Sequence, residues 1–183
     1  MTRLLLGLVL ALPTAASGQA LSSLKNHNTD APIDISSDSI EVQDRANRAI
    51  WTGNVHAVQG DMVMDAQRMT VAYARAQTTG GDPQIQRIDA SGGVTVVDPS
   101  ERARGNYGIY DLDRRLITLI GNVSLVRGGN TVNGARLVID LTTGRSTVDG
   151  SAVGTPGQIG RNGGRVTGRF TVPQRTQAGT AAK

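Results

Sequence analysis

The chain has no cysteine, which removes disulfides, thiolate catalysis and cysteine-ligated metal sites together. Aromatic residues make up only 3% of it, one Trp, three Tyr and one Phe, fewer than a sugar-stacking or nucleic-acid-stacking surface would use. The two histidines, His27 and His56, stand apart from any second ligand or catalytic neighbour. No G-x-S-x-G, P-loop or dinucleotide fingerprint occurs. Asp111 and Asp113 could suggest a glycosidase pair, but they lead into Arg114 and Arg115 in what reads as a hairpin tip. Arg127-Gly128-Gly129 is a single copy and reads as a turn. We therefore expect no enzyme, no cofactor, no metal and no nucleic-acid partner.

Long hydrophobic runs are also missing beyond the first residues. Arg3, the apolar stretch Leu4 to Leu12, Pro13 and then Gly18-Gln19-Ala20 read as an export signal over residues 1–20. The run is shorter than the ~20 residues of a membrane-spanning helix. Left uncleaved, it would act as an anchor instead. The expected mature chain is exported and soluble. Charge is unevenly spread as well. Residues 21–150 carry a net −2, residues 151–183 carry five basic residues and no acid, and Arg3 completes the formal +4. The high pI belongs to the tail.

What the chain does have is glycine, 23 residues of it, arranged in a repeat. Gly53-Asn54-Val55 recurs without a gap as Gly121-Asn122-Val123, 68 positions later. Val58-Gln59-Gly60 matches Val126-Arg127-Gly128, and Arg68-Met69 matches Arg136-Leu137. A third copy starts at Gly92-Gly93-Val94 and a fourth ends at Gly150, so the anchors are spaced 39, 29 and 29 residues apart. The Trp51 position recurs as Ala90, Leu119 and Val148.

Apolar residues alternate inside each copy, as in Met69, Val71 and Tyr73 or Leu137, Ile139 and Leu141. That is the period of a strand with one face toward a core. The glycines at the copy boundaries are expected to be turns, as are Asp113-Arg114-Arg115 and Thr142-Thr143-Gly144-Arg145. The fold class is all-β, with roughly a dozen or more short strands of about 5–6 residues. The expected organisation is a mobile segment at 21–31, a β domain at 32–153, and a disordered basic tail at 154–183.

The run Ile33-Asp34-Ile35-Ser36-Ser37-Asp38-Ser39-Ile40-Glu41-Val42 resembles the opening strand of OstA-like domains. Ala49 to Val55, Met64 to Met69, Asp89 to Val94 and Ala135 to Asp140 continue the resemblance to the LptA/OstA-like family over about residues 32–150. It implies a β-jellyroll, a bent, trough-like antiparallel sheet with an apolar interior that receives the acyl chains of lipopolysaccharide. It also implies edge-strand pairing with an inner-membrane anchored transport partner, with an outer-membrane translocon, and end to end with further copies. Trp51, Met62, Met64, Met69, Val71, Leu119, Leu125, Leu137 and Ile139 are the candidate trough residues. An ordinary closed core would use the same residues. The alternatives in function are a β-solenoid adhesin or polysaccharide-binding module, and the membrane-anchored partner of the same transport system.

Overall fold

The computed structural model describes residue 24 and residues 27–74, 83–150 and 164–171. The expected signal at 1–20 and most of the expected tail lie outside them. The described residues form ten strands: β1 (Asp34–Ser36), β2 (Ser39–Gln43), β3 (Arg48–Gln59), β4 (Met62–Ala74), β5 (Gln84–Val97), β6 (Glu101–Asp111), β7 (Leu116–Arg127), β8 (Asn130–Asp140), β9 (Arg145–Asp149) and β10 (Thr167–Arg169). β3 to β8 follow one another as hairpins in a single sheet. Every pairing among the described strands is antiparallel. A parallel stack of coils, as in a solenoid, is thereby excluded. The fold is an all-β jellyroll built from one open, curved sheet.

The strands differ from the sequence expectation in length. β3 to β8 run 11 to 14 residues each, because the repeat glycines do not end strands. Gly53-Asn54, Gly92-Gly93 and Gly121-Asn122 all have positive φ, yet each pair lies inside a continuous strand. They are bulges. The register shifts at the same height in five successive pairings, between Thr52/Val55, Asp65/Arg68, Ser91/Val94, Arg104/Tyr107 and Ile120/Val123. A row of aligned bulges bends a sheet sharply while keeping its ladder. Here it divides the sheet into a half edged by β2 and β9 and a half edged by β1 and β10.

The expected hairpin tips are where the sequence puts them. Asp111 Oδ1 accepts a hydrogen bond from Arg114 N at 2.9 Å. Asp140 Oδ1 accepts from Thr142 N and Thr143 N at 2.9 and 3.0 Å. Gly128 and Gly129, both at positive φ, form the two-residue link between β7 and β8, as a tight hairpin requires.

Both sheet edges are split. On one side β1 covers residues 56–58 of β3 while β2 covers residues 48–52. On the other, β9 covers residues 136–140 of β8 and β10 covers residues 131–133. β10 falls within the stretch expected to be disordered. It forms because five-residue β9 leaves the backbone groups of Thr131–Asn133 without a neighbour, and Thr167–Arg169 supplies one. Thr171 N donates to Asn130 Oδ1 at 2.9 Å just beyond it.

Candidate functional site

The bend turns the inner faces of the two halves toward each other, and their side chains form one apolar cluster. Cross-strand register sorts them into rows. Trp51, Met69, Ala90, Gly108, Leu119, Leu137 and Val148 stand side by side across seven strands. The repeat positions Trp51, Ala90, Leu119 and Val148 fall in this one row, so a copy of the repeat corresponds to a hairpin. Val71, Ile88, Tyr110, Ile117 and Ile139 make the next row. Across the bend, Ala57, Met64, Val96, Ala103 and Leu125 face them.

All nine sequence-predicted residues lie on this inner face. Met69, Leu119, Leu137 and Ile139 are fully buried, and Met62, Met64, Val71 and Leu125 are nearly so. Trp51 is half-buried, because its outer neighbour in the row is Ile40 of edge strand β2, itself 49% exposed. Val42, the next inward residue of β2, is 57% exposed. Apolar surface is thus left uncovered at one edge of the trough. Burying a side chain of this size is worth about 1.5–3 kcal/mol.

The two halves also meet through polar side chains, which periodicity did not single out. Tyr110 OH, on one half, donates to Gln59 Oε1, on the other, at 2.9 Å. Gln59 is 2% exposed and satisfies its remaining groups on the N-terminal segment. Its Nε2 donates to the carbonyls of Thr29 and Ala31 at 3.0 and 2.9 Å, and His27 Nε2 lies 3.0 Å from Oε1. His27, expected in a mobile stretch, is thus a contact of the hub, and nearby Leu24 is buried in the core. Burial pushes the Tyr110 phenol up to about 12, which keeps its proton available to Gln59. At the opposite end Arg127 pairs with buried Glu101 and donates to Ser146 Oγ at 3.2 Å. The alternation Val55, Ala57, Gln59 already put Gln59 in phase with the core. Its partner 51 residues away had no local signal.

Inner-face side chains of the two halves pack against one another. The space left among Ile33, Ala57, Met62, Met64, Ile88 and Tyr110 is about 10 Å³, at the lower limit for one water. The outer face is polar and carries exposed pairs such as His56–Asp65 at 2.6 Å and Arg87–Asp89 at 2.7 Å. His56 lies exposed on a strand. No cluster of three or more metal-ligating side chains occurs among the described residues.

The family model for the LptA/(LptD N-terminal domain) LPS transport protein matches residues 34–145. The chain belongs to this family. Among curated relatives, an uncharacterized protein of Rhizobium meliloti is 36% identical over 144 residues, 75% of this chain and 77% of that one. The lipopolysaccharide export system protein LptH of Pseudomonas aeruginosa is 26% identical over 155 residues, 78% of this chain and 84% of LptH. The crystal structure of LptH, described as the LptA-homologous periplasmic component of the lipopolysaccharide transport device of that organism, superposes with a TM-score of 0.66. That match covers 79% of this chain and 98% of LptH at 19% identity, and it shows that the two share the fold. No helix among the described residues is long and apolar enough to cross a membrane.

Proposed function

We propose that this LptA-family chain is a non-enzymatic periplasmic bridge protein that carries lipopolysaccharide from the inner to the outer membrane. The acyl chains partition into the inner face of the bent sheet, each CH₂ removed from water contributing about 0.8 kcal/mol. The observation that carries the reading is the continuous apolar row from Trp51 to Val148, ending at a strand edge where Ile40 and Val42 remain exposed. Because inner-face side chains of the two halves pack against one another, a lipid enters by parting them about the row of bulges. Three of the chain's four methionines, Met62, Met64 and Met69, lie there, and flexible thioethers repack readily around a guest.

Strand direction supports bridging. β1 and β2 run antiparallel to β3, while β9 and β10, five pairings further on and one more, run parallel to it. The first edge of one copy therefore meets the last edge of another antiparallel, in both halves of the sheet at once. Strand addition of this kind uses the open backbone groups of an edge. The same geometry suits an anchored partner at the inner membrane and a translocon at the outer membrane. Net flow needs an energy source outside this chain, since a passive trough has no direction.

The test is a photo-crosslinking probe placed in turn at Trp51, Met69 and Leu137, with Thr70 and Asp140 as outward controls. Lipopolysaccharide labelled only by the inward three supports the carrier. Labelling of none, or equal labelling of the controls, refutes it and leaves those residues as ordinary core.

A further inference from the structure

Polar side chains on the outer face of the sheet pair with one another in several places. His56 pairs with Asp65, Arg87 with Asp89, and Asn54 Nδ2 donates to Asp38 Oδ2 at 2.9 Å. One stretch beside the bulge row departs from this. Thr95, Arg104, Ser124 and Asn133 stand side by side across β5 to β8, with Asn106 and Asn122 next to them at the bend. None of these six side chains hydrogen-bonds to or ion-pairs with a described residue. They line an open hollow of about 460 Å³, within the size range of ligand pockets. Gly93, where a Cβ would meet nothing within 4 Å, leaves room in it.

A second hollow, of about 270 Å³, opens on the other side of the bulge row, where Arg68, Asp89, Ser91 and Tyr107 contribute to its lining. Asn106 lines the first hollow and Tyr107 the second, so the two adjoin on β6. Tyr107 is 58% exposed, with Ser91 and Ile120 as its cross-strand neighbours. Away from the sheet edges it is the described large apolar side chain most open to water. A tyrosine ring so placed offers a flat apolar surface at small entropic cost, since only two χ angles are fixed on contact. The charge around it is positive. Asp89 is held by Arg87 through three hydrogen bonds, whereas Arg104 has no acidic partner among the described residues. Arg68 reaches Thr52 Oγ1 at 3.5 Å.

We propose that the two hollows form one groove for an acidic saccharide, in which Tyr107 stacks on the C–H face of a sugar ring, Asn106 and Asn133 read hydroxyls, and Arg104 takes the acidic substituent. A carboxamide presents donors and an acceptor together, as adjacent hydroxyls do. A guanidinium holds a carboxylate or phosphate bidentately. One exposed tyrosine gives a single stacking position, so the polar side chains around it carry the selectivity. The groove and the apolar rows lie on opposite faces of the sheet, and this inference does not depend on the carrier reading.

The experiment follows amide NMR signals of the full chain during titration with two acidic probes, trigalacturonate and the saccharide of lipopolysaccharide freed of its acyl chains. Maltotriose and inorganic phosphate are the controls. The tighter acidic probe should shift the amides of residues 91–95, 104–108 and 122–124 saturably and bind at least about tenfold tighter than either control. If that probe is the lipopolysaccharide saccharide, the groove reads the sugar of the carried molecule; if it is trigalacturonate, the groove reads a separate acidic glycan. Tyr107→Ala should weaken binding about tenfold, while Tyr107→Phe, which keeps the ring, should not. Arg104→Gln should bring the acidic probe down to the level of maltotriose. Both side chains are exposed, and unchanged signals away from the groove report that each variant keeps its fold. No saccharide binding, binding untouched by Tyr107→Ala, or a control that binds as tightly as the acidic probes overturns the groove and leaves the carrier reading to its own crosslinking test.

Discussion

Gly92 and Gly93 offer a controlled pair for testing whether the bulge row is held by side-chain packing as well as by backbone conformation. Their φ values are +85° and +84°, so replacing either by Ala meets a similar left-handed penalty, about 1–2 kcal/mol. Their surroundings differ. A Cβ at Gly92 would lie 2.6 Å from Gln67 Cβ and 3.0 Å from Gln67 Cγ, whereas one at Gly93 would meet nothing within 4 Å. Relieving the Gln67 contact requires moving a side chain at its root, where the backbone of β4 must follow, and overpacking of this kind costs about 1–3 kcal/mol more. Gly92→Ala should therefore lose about 2–5 kcal/mol and Gly93→Ala only about 1–2 kcal/mol. Urea unfolding by circular dichroism reads both, with the slope of the transition checked for constancy. Equal losses, or a larger loss for Gly93→Ala, would refute the claim that the neighbouring strand closes over the bulge.

Three further outcomes follow from the seam, a turn and the edge. Tyr110, its phenol raised to about 12 by burial, holds its proton in the folded state above the unfolded value of about 10. Its contribution is complete below that value and fades as pH rises toward 12; Tyr110→Phe should remove this slope and cost about 1 kcal/mol at neutral pH, by urea midpoints across alkaline pH. Asp140 is held below its ordinary carboxylate value chiefly by the backbone hydrogen bond from Thr143. Its stabilisation is present above the unfolded pKa and is lost as pH falls through the folded one, so Asp140→Asn should flatten the acid limb of the stability curve. Truncation after residue 163 removes β10 and with it half of the edge that runs antiparallel to β1 and β2. Sedimentation should then show weaker end-to-end association, and undiminished association would exclude a role for β10 in the joint.

Local pattern is enough to tell which residues face inward, where the hairpins close, and that successive copies are equivalent. Alternation has period two and is written locally, so Met69, Val71, Leu137 and Ile139 were legible as one face. Asp113-Arg114-Arg115 and Gly128-Gly129 were legible as tips because turn chemistry acts over three or four residues. The glycines that anchor the repeat look like turns for the same reason, since a positive φ is alike in a turn and in a bulge. Only the neighbouring strands, with Gln67 over Gly92 and Asn106 over Gly121, decide that the chain bends without reversing. The tertiary structure alone brought Tyr110 to Gln59, placed Leu24 in the core, and gave Asp98 a turn to cap with one oxygen left over. These are contacts between distant parts of the chain. Nothing in the local period specifies them, because they exist only once two halves of the sheet have folded face to face.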